Sequence, residues 1–198
     1  MTVLATLTQR NRAFAATHPG ERPAVEPNLK ALILCCADHR ADPAHVFGLK
    51  PNEAVVIRNP GGRVTPDFLR TLGVLATIAQ VDRLSSGFEL ILMQHTDCGL
   101  SHLSPETHAE VLAPFLGVRP AELGAKNLSD PREAVRSDIA LLRQNPFVPP
   151  TLIVTGLVYD VDTGCVEKIV PPTVLRDQPR HAARLRRPKV RQSLRPHA

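Results

Sequence analysis

The chain has 198 residues, 43% of them hydrophobic, enough for one domain with a sizeable core, and with no tryptophan and 4% aromatic residues that core has to be aliphatic. The net charge of +5 is unevenly placed: residues 171–198 hold eight Lys/Arg and one acid, which leaves sixteen bases against eighteen acids before them. A basic footprint across the domain, as nucleic-acid binding would need, is excluded, and no apolar run approaches the roughly 20 residues of a membrane span.

Residues 1–20 lack acids and contain Arg10 and Arg12, a composition shared with transit peptides. An amphipathic helix accounts for the same segment, because Leu4, Leu7 and Phe14 fall near one face; residues 1–24 read as an N-terminal helical arm. KALILC (30–35), EAVVIR (53–58) and FELILMQ (88–94) are short runs rich in Leu, Ile and Val, as strands covered on both faces should be. Thr65-Pro66-Asp67 opens a helix with Phe68, Leu72, Leu75 and Ala79 at helical spacing, the threonine capping and the proline at the first helical position. Ser104-Pro105-Glu106 opens a shorter one, and Asp130-Pro131-Arg132-Glu133 a third with Val135, Ile139 and Leu142 on one stripe, ending near Asn145-Pro146. TLIVTGLVYDV (151–161) and CVEKIV (165–170) flank Asp162-Thr163-Gly164 and predict a hairpin.

Strands alternating with helices predict an α/β domain over 1–170. Its mostly parallel central sheet should have about four strands and an antiparallel edge strand, with helices flanking it. From Pro171 onward proline and arginine dominate and hydrophobic periodicity stops, so 171–198 is expected to be a disordered basic tail.

The chemistry concentrates at two strand ends. Cys36-Ala37-Asp38-His39-Arg40 follows the first strand and His95-Thr96-Asp97-Cys98-Gly99 the third. Ligands of parallel sheets collect beyond the carboxyl ends of strands, so the two segments should meet. Two thiolates and one imidazole, Cys36, Cys98 and His95, are a soft donor set suited to zinc, and three ligands leave a fourth position open as in catalytic sites. Neighbouring strand residues point to opposite faces, so Cys35 is expected in the core, and Cys165 is read as structural too. Four cysteines are too few for a disulfide scaffold, and a reducing cytoplasm favours metal binding.

C-x-D-x-R followed some sixty residues later by H-x-x-C resembles the β-class carbonic anhydrases. IRNPGG (57–62) resembles that family's RNAG segment, and GLVYDVDTG (156–164) its closing strand and hairpin; the likeness covers residues 25–170 and is nearest to the short bacterial members. The resemblance implies zinc-dependent, reversible hydration of CO2 to bicarbonate and a proton by attack of a zinc-bound hydroxide. It implies one zinc per subunit on Cys36, His95 and Cys98. Asp38 would orient the hydroxide and Arg40 would hold Asp38 off the metal. Gly61 and Gly62 would let backbone approach the substrate, and Gly99 would permit the tight turn after Cys98. It implies also a homodimer or higher homo-oligomer, with the N-terminal helix lying across the partner, and no membrane or nucleic-acid partner.

His39, His45 and His102 are candidate proton carriers, Asp97 a turn former, and Val64, Phe68 and Leu100 candidate apolar walls. Two rival readings stand beside this one: a carbon disulfide hydrolase on the same zinc site, and a non-catalytic zinc-containing module that binds through the basic tail.

Overall fold

A computed structural model describes residues 2–18, 20 and 22–176. Five strands, β1 (Ala31–Cys36), β2 (Ala54–Asn59), β3 (Glu89–His95), β4 (Ile153–Tyr159) and β5 (Val166–Val174), form one sheet in the order β2-β1-β3-β4-β5. The first four are parallel and β5 returns antiparallel to β4, so four parallel strands carry one antiparallel edge, as the alternation of apolar runs predicts. All six residues of β1 are buried, because β1 has a strand on each side and side-chain cover on both faces.

One face carries the main core. Leu32, Leu34, Leu90 and Leu92 of the sheet pack with Val135, Ile139 and Leu142 of α5 (Pro131–Gln144) and Phe68 of α3 (Pro66–Val81). Both helices begin as their sequences dictate. Thr65 Oγ1 accepts the Phe68 N–H at 3.1 Å, Asp130 accepts from the N–H groups of Arg132 and Glu133, and a proline follows each cap. The opposite face is more thinly covered: Ala31, Ile33, Cys35 and Met93 pack against Val46 of the short α2 (Pro43–Val46) and against Leu49. A satellite cluster of Leu112, Ala113 and Leu116 on α4 (Pro105–Leu116) with Leu123 sits beside the carboxyl edge of the sheet.

The helix α1 (Val3–Ala16) buries no residue against its own chain; Leu4, Leu7 and Phe14 are all more than half exposed. The hairpin between β4 and β5 is longer than the three-residue turn expected. Asp160 N–H pairs with the Cys165 carbonyl, and the Asp160 carboxylate accepts from Asp162 and Thr163, which makes 160–165 the turn. Cys165 is exposed there, not part of the core.

The folded chain also runs past the expected boundary at residue 171. β5 includes Pro171 and Pro172, which an edge strand tolerates because its outer side has no ladder to complete. Leu175 is then buried in the main core, and the Arg176 guanidinium donates to the carbonyls of Arg143, Asn145 and Val148. The rest of the expected tail lies outside the described residues.

α5 crosses the sheet at Gly156 of β4, where a β-carbon would stand 2.4 Å from Val135 Cγ1 and 3.0 Å from Ile139 Cδ1. Gly156→Ala is therefore expected to lower stability by about 1–3 kcal/mol through overpacking. Urea unfolding followed by circular dichroism checks this; an unchanged midpoint would mean that α5 yields without cost.

Candidate metal centre

β1 delivers Cys36 as its last residue, and β3 delivers His95 as its last, on the adjacent strand. Two tight connections then fold back over these ends. After β2, Asn59 clamps the turn Pro60–Gly62 by accepting the Arg63 N–H and donating to the Arg63 carbonyl, both at 2.8 Å. Gly61 has φ +73, and its N–H points at Cys36 Sγ, 3.2 Å away. Gly62 has φ +61 and lies directly on the sheet: a β-carbon there would come within 3.0 Å of the backbones of Cys35, Cys36 and Met93. Only glycine at both positions brings the turn this close to the strand ends.

After β3 the chain turns through Asp97, whose φ of +52 takes the left-handed position, and this carries Cys98 back over the site. Cys36 Sγ and Cys98 Sγ are 3.8 Å apart, and one ligand atom from each of Cys36, His95 and Cys98 lies within 4.8 Å of the others. His95 Nδ1 is 2.8 Å from the Thr96 carbonyl, which fixes it as the protonated nitrogen and leaves Nε2 as an acceptor. Nε2 is the one buried side-chain nitrogen or oxygen without a hydrogen-bond partner among the described residues. A buried acceptor facing two sulfurs and lacking a donor fits a soft divalent cation.

The electrostatics agree. The hydrogen bond from Cys98, opposed by burial, pulls the Cys36 thiol far below its ordinary value, with help from His95 and the N–H groups of Asp38 and Gly61. The proton is retained by Cys98, which is pushed up by the neighbouring sulfur. Cys35, by contrast, faces the thinly covered side of the sheet with no exposed surface, and desolvation raises it to about 12. Strand alternation separates the twin thiols as the sequence predicts.

Asp38 sits 4.0 Å from His95 Nε2 through Oδ2 and is held by Arg40. Arg40 Nε lies 3.1 and 3.3 Å from the two oxygens, Nη2 donates to Oδ2 at 2.7 Å, and the Arg40 backbone N–H donates to Oδ1. These contacts keep the Asp38 carboxyl well below the usual carboxylate range. The guanidinium also reaches across to the second loop, donating from Nη1 to Asp97 Oδ2 at 2.7 Å and from Nη2 to the Asp97 carbonyl at 2.9 Å.

A cavity of about 30 Å³ opens beside the ligands, lined among others by Gly61, Arg63, Gln94, His95, Cys98 and Leu100. Leu100 is thus an apolar wall as expected, whereas Val64 and Phe68 belong to the main core. Gly62 and Gly99 do not line the cavity; Gly62 serves the approach of the turn to the sheet. Gly99 has neither a positive φ nor a crowded β-carbon position, so the turn after Cys98 does not require glycine; the left-handed residue of this loop is Asp97, ahead of Cys98. His39 and His102 lie at the surface beside Asp38 and Asp97, at 3.8 and 3.9 Å, and His45 is exposed on α2.

Sequence reasoning missed two arginines. Arg58 donates to the carbonyls of Cys36 and Asp38 and to Asp42 Oδ2, bracing the loop that carries the acid. Arg63 and Asp138, each 1% exposed, form a buried pair that also holds Gln94. A signal was present: Asp138 interrupts the apolar stripe of Val135, Ile139 and Leu142, and a buried acid requires a partner.

A parallel α/β sheet that gathers two thiols, an imidazole and an arginine-clamped aspartate beyond its strand ends defines a class of Cys2His-site proteins. Residues 31–166 match the family described as carbonic anhydrase. β-Carbonic anhydrase 1 of Mycobacterium tuberculosis is 32% identical over 86% of this chain and 100% of its own length. A carbon disulfide hydrolase of Acidianus is 28% identical over 72% of this chain and 78% of that protein. The crystal structure of a carbonic anhydrase from Streptococcus mutans superposes with a TM-score of 0.67 at 32% identity, covering 85% of this chain and 98% of that one. The chain belongs to the β-carbonic anhydrase family.

The division between the twin thiols has a direct check. Cys36→Ser is expected to abolish stoichiometric binding of zinc added to the metal-free protein, while Cys35→Ser retains it. Elemental analysis after gel filtration reads both variants, and equal metal content in the two would overturn the assignment.

Proposed function

We propose that the protein catalyses the reversible hydration of CO2 to bicarbonate and a proton, using one zinc per subunit held by Cys36, His95 and Cys98. The observation that carries this reading is the unpartnered, buried Nε2 of His95 facing two sulfurs, with an ionised carboxylate 4.0 Å away. Zinc supplies a Lewis acid that brings the pKa of a water down to about 7. The protein's own groups supply the rest. The N–H groups of Asp38 and Gly61 aim at Cys36 Sγ and stabilise it as a thiolate. Asp38 stays ionised and acceptor-only, so it takes a hydrogen bond from the attacking oxygen and fixes that oxygen's orientation. Arg40, tethered to both loops, holds the carboxylate on the guanidinium. The apolar side chain of Leu100 faces the cavity where CO2 would wait.

The relative that hydrolyses carbon disulfide makes that reaction the second reading. Polar side chains at the cavity, Arg63, Gln94, Ser101 and Ser129, favour oxygen over sulfur in the substrate, since sulfur is a weak hydrogen-bond acceptor. The site's thiols suit a reducing compartment, and we place the protein in the cytoplasm. No helix among the described residues is long and apolar enough to cross a membrane.

The protein is further proposed to act as a homodimer or higher homo-oligomer. α1 buries nothing on its own chain, and α3 exposes Val74, Ile78 and Val81. Light scattering at micromolar concentration should return a mass at least twice that of one chain; a compact monomer would refute this.

Stopped-flow CO2 hydration with a pH indicator tests the activity. A zinc-dependent rate above buffer is expected from pH 7 to 9, and its absence would end the proposal. In the same assay Arg40→Ala should lower the rate by about 10–100-fold with zinc content retained, as loss of a residue that orients a catalytic group does. A rate equal to the parent's would show that Asp38 needs no clamp.

A further inference from the structure

We infer that Arg63 and Gln94, set in place by Asp138, form an oxygen-binding wall of the cavity that holds bicarbonate, an inference that rests on the proposed reaction. Both residues line the cavity beside His95 and Cys98, and both are almost fully buried, at 1% and 4% exposure. Their orientation is over-determined by one acid. Asp138 Oδ2 accepts from Arg63 Nε at 2.9 Å, from the Val64 N–H at 3.0 Å and from Gln94 Nε2 at 3.3 Å; Oδ1 accepts from Arg63 Nη2 at 3.1 Å. Arg63 Nη2 donates also to the Lys126 carbonyl at 2.8 Å. A carboxylate paired with an arginine can only accept, so the amide nitrogen of Gln94, not its oxygen, must face it.

This leaves donors to spare. Arg63 Nη1 makes no hydrogen bond among the described residues, and the Gln94 amide has one N–H beyond the bond to Asp138. Gln94 Oε1 likewise makes no hydrogen bond, and among the described residues neither Arg63 Nη1 nor Gln94 Oε1 belongs to the fully buried atoms without a partner, a set that holds only His95 Nε2, so both reach open space. For side chains this deeply enclosed, the open space they reach is the cavity. A guanidinium donor and an amide oxygen that open on the cavity with no protein partner are free to pair with a ligand or water there. Bicarbonate suits both, with oxygens that accept from Arg63 and an O–H that can donate to Gln94 Oε1, and Asp138 offsets the arginine charge so that a product anion can leave.

Two variants test this. Gln94→Leu removes the amide alone. The double variant Arg63→Met/Asp138→Leu removes the buried pair together, which avoids stranding one charge. In each, KM for bicarbonate dehydration should rise about tenfold or more while zinc content is retained. Bicarbonate should also raise the melting temperature of the parent, and this shift should disappear in both variants. KM within twofold of the parent, or a bicarbonate-induced shift as large as the parent's, would overturn the inference. An inactive parent would overturn the proposed function instead, and the melting shift would still decide whether these residues hold the anion.

Discussion

The site depends on one guanidinium. Arg40 reaches from the loop after β1 to the loop after β3, 57 residues away, and binds an aspartate in each. Asp38 lies between this cation and the ligand cluster, so the same contacts that join the loops also set where the carboxylate stands. Ion pairs at a protein surface are worth little to stability, about 0–1 kcal/mol. This one is forked and fixed from both sides, and its value is positional.

Behind it the architecture is layered by charge. Arg58 braces the carbonyls of the first loop, Arg40 joins the two loops at the mouth, and Arg63 lies at the cavity's inner wall with Asp138. Each arginine donates to backbone carbonyls as well as to an acid, which a planar fork of five donors allows and a lysine would not. Irregular backbone that would otherwise move is thereby pinned around the ligand atoms. The turn through Gly61 and Gly62 completes the enclosure by giving its N–H to Cys36 Sγ.

Much of this was legible in the sequence because it is local. Thr65-Pro66 and Asp130-Pro131 announce helix starts through caps that act within three residues, and the alternation of strand side chains sorts Cys35 from Cys36. The pairing of C-x-D-x-R with H-x-x-C identified the ligand cluster because parallel strands deliver their ends to one edge. What remained hidden is long-range. The Arg63–Asp138 pair joins residues 75 apart, and no spacing rule connects a loop arginine to an acid on a distant helix. Asp97, read as a turn former, takes the left-handed conformation, which its short polar side chain tolerates, whereas Gly99, expected to permit the turn after Cys98, has no positive φ. Pro171-Pro172 read as the end of order, yet an edge strand has room for prolines, and Leu175 and Arg176 secure the chain beyond them.

The distribution of the three ligands has a thermodynamic consequence. Cys36 and Cys98 are separated by 62 residues, and no segment shorter than two parallel strands with their crossover brings them to 3.8 Å. A cation on these atoms therefore binds the folded chain and scarcely the unfolded one, so its affinity is coupled to folding. A cation held there would cross-link the carboxyl ends of β1 and β3 as a covalent tie does, and withdrawing it would loosen the centre of the sheet along with the chemistry at its edge.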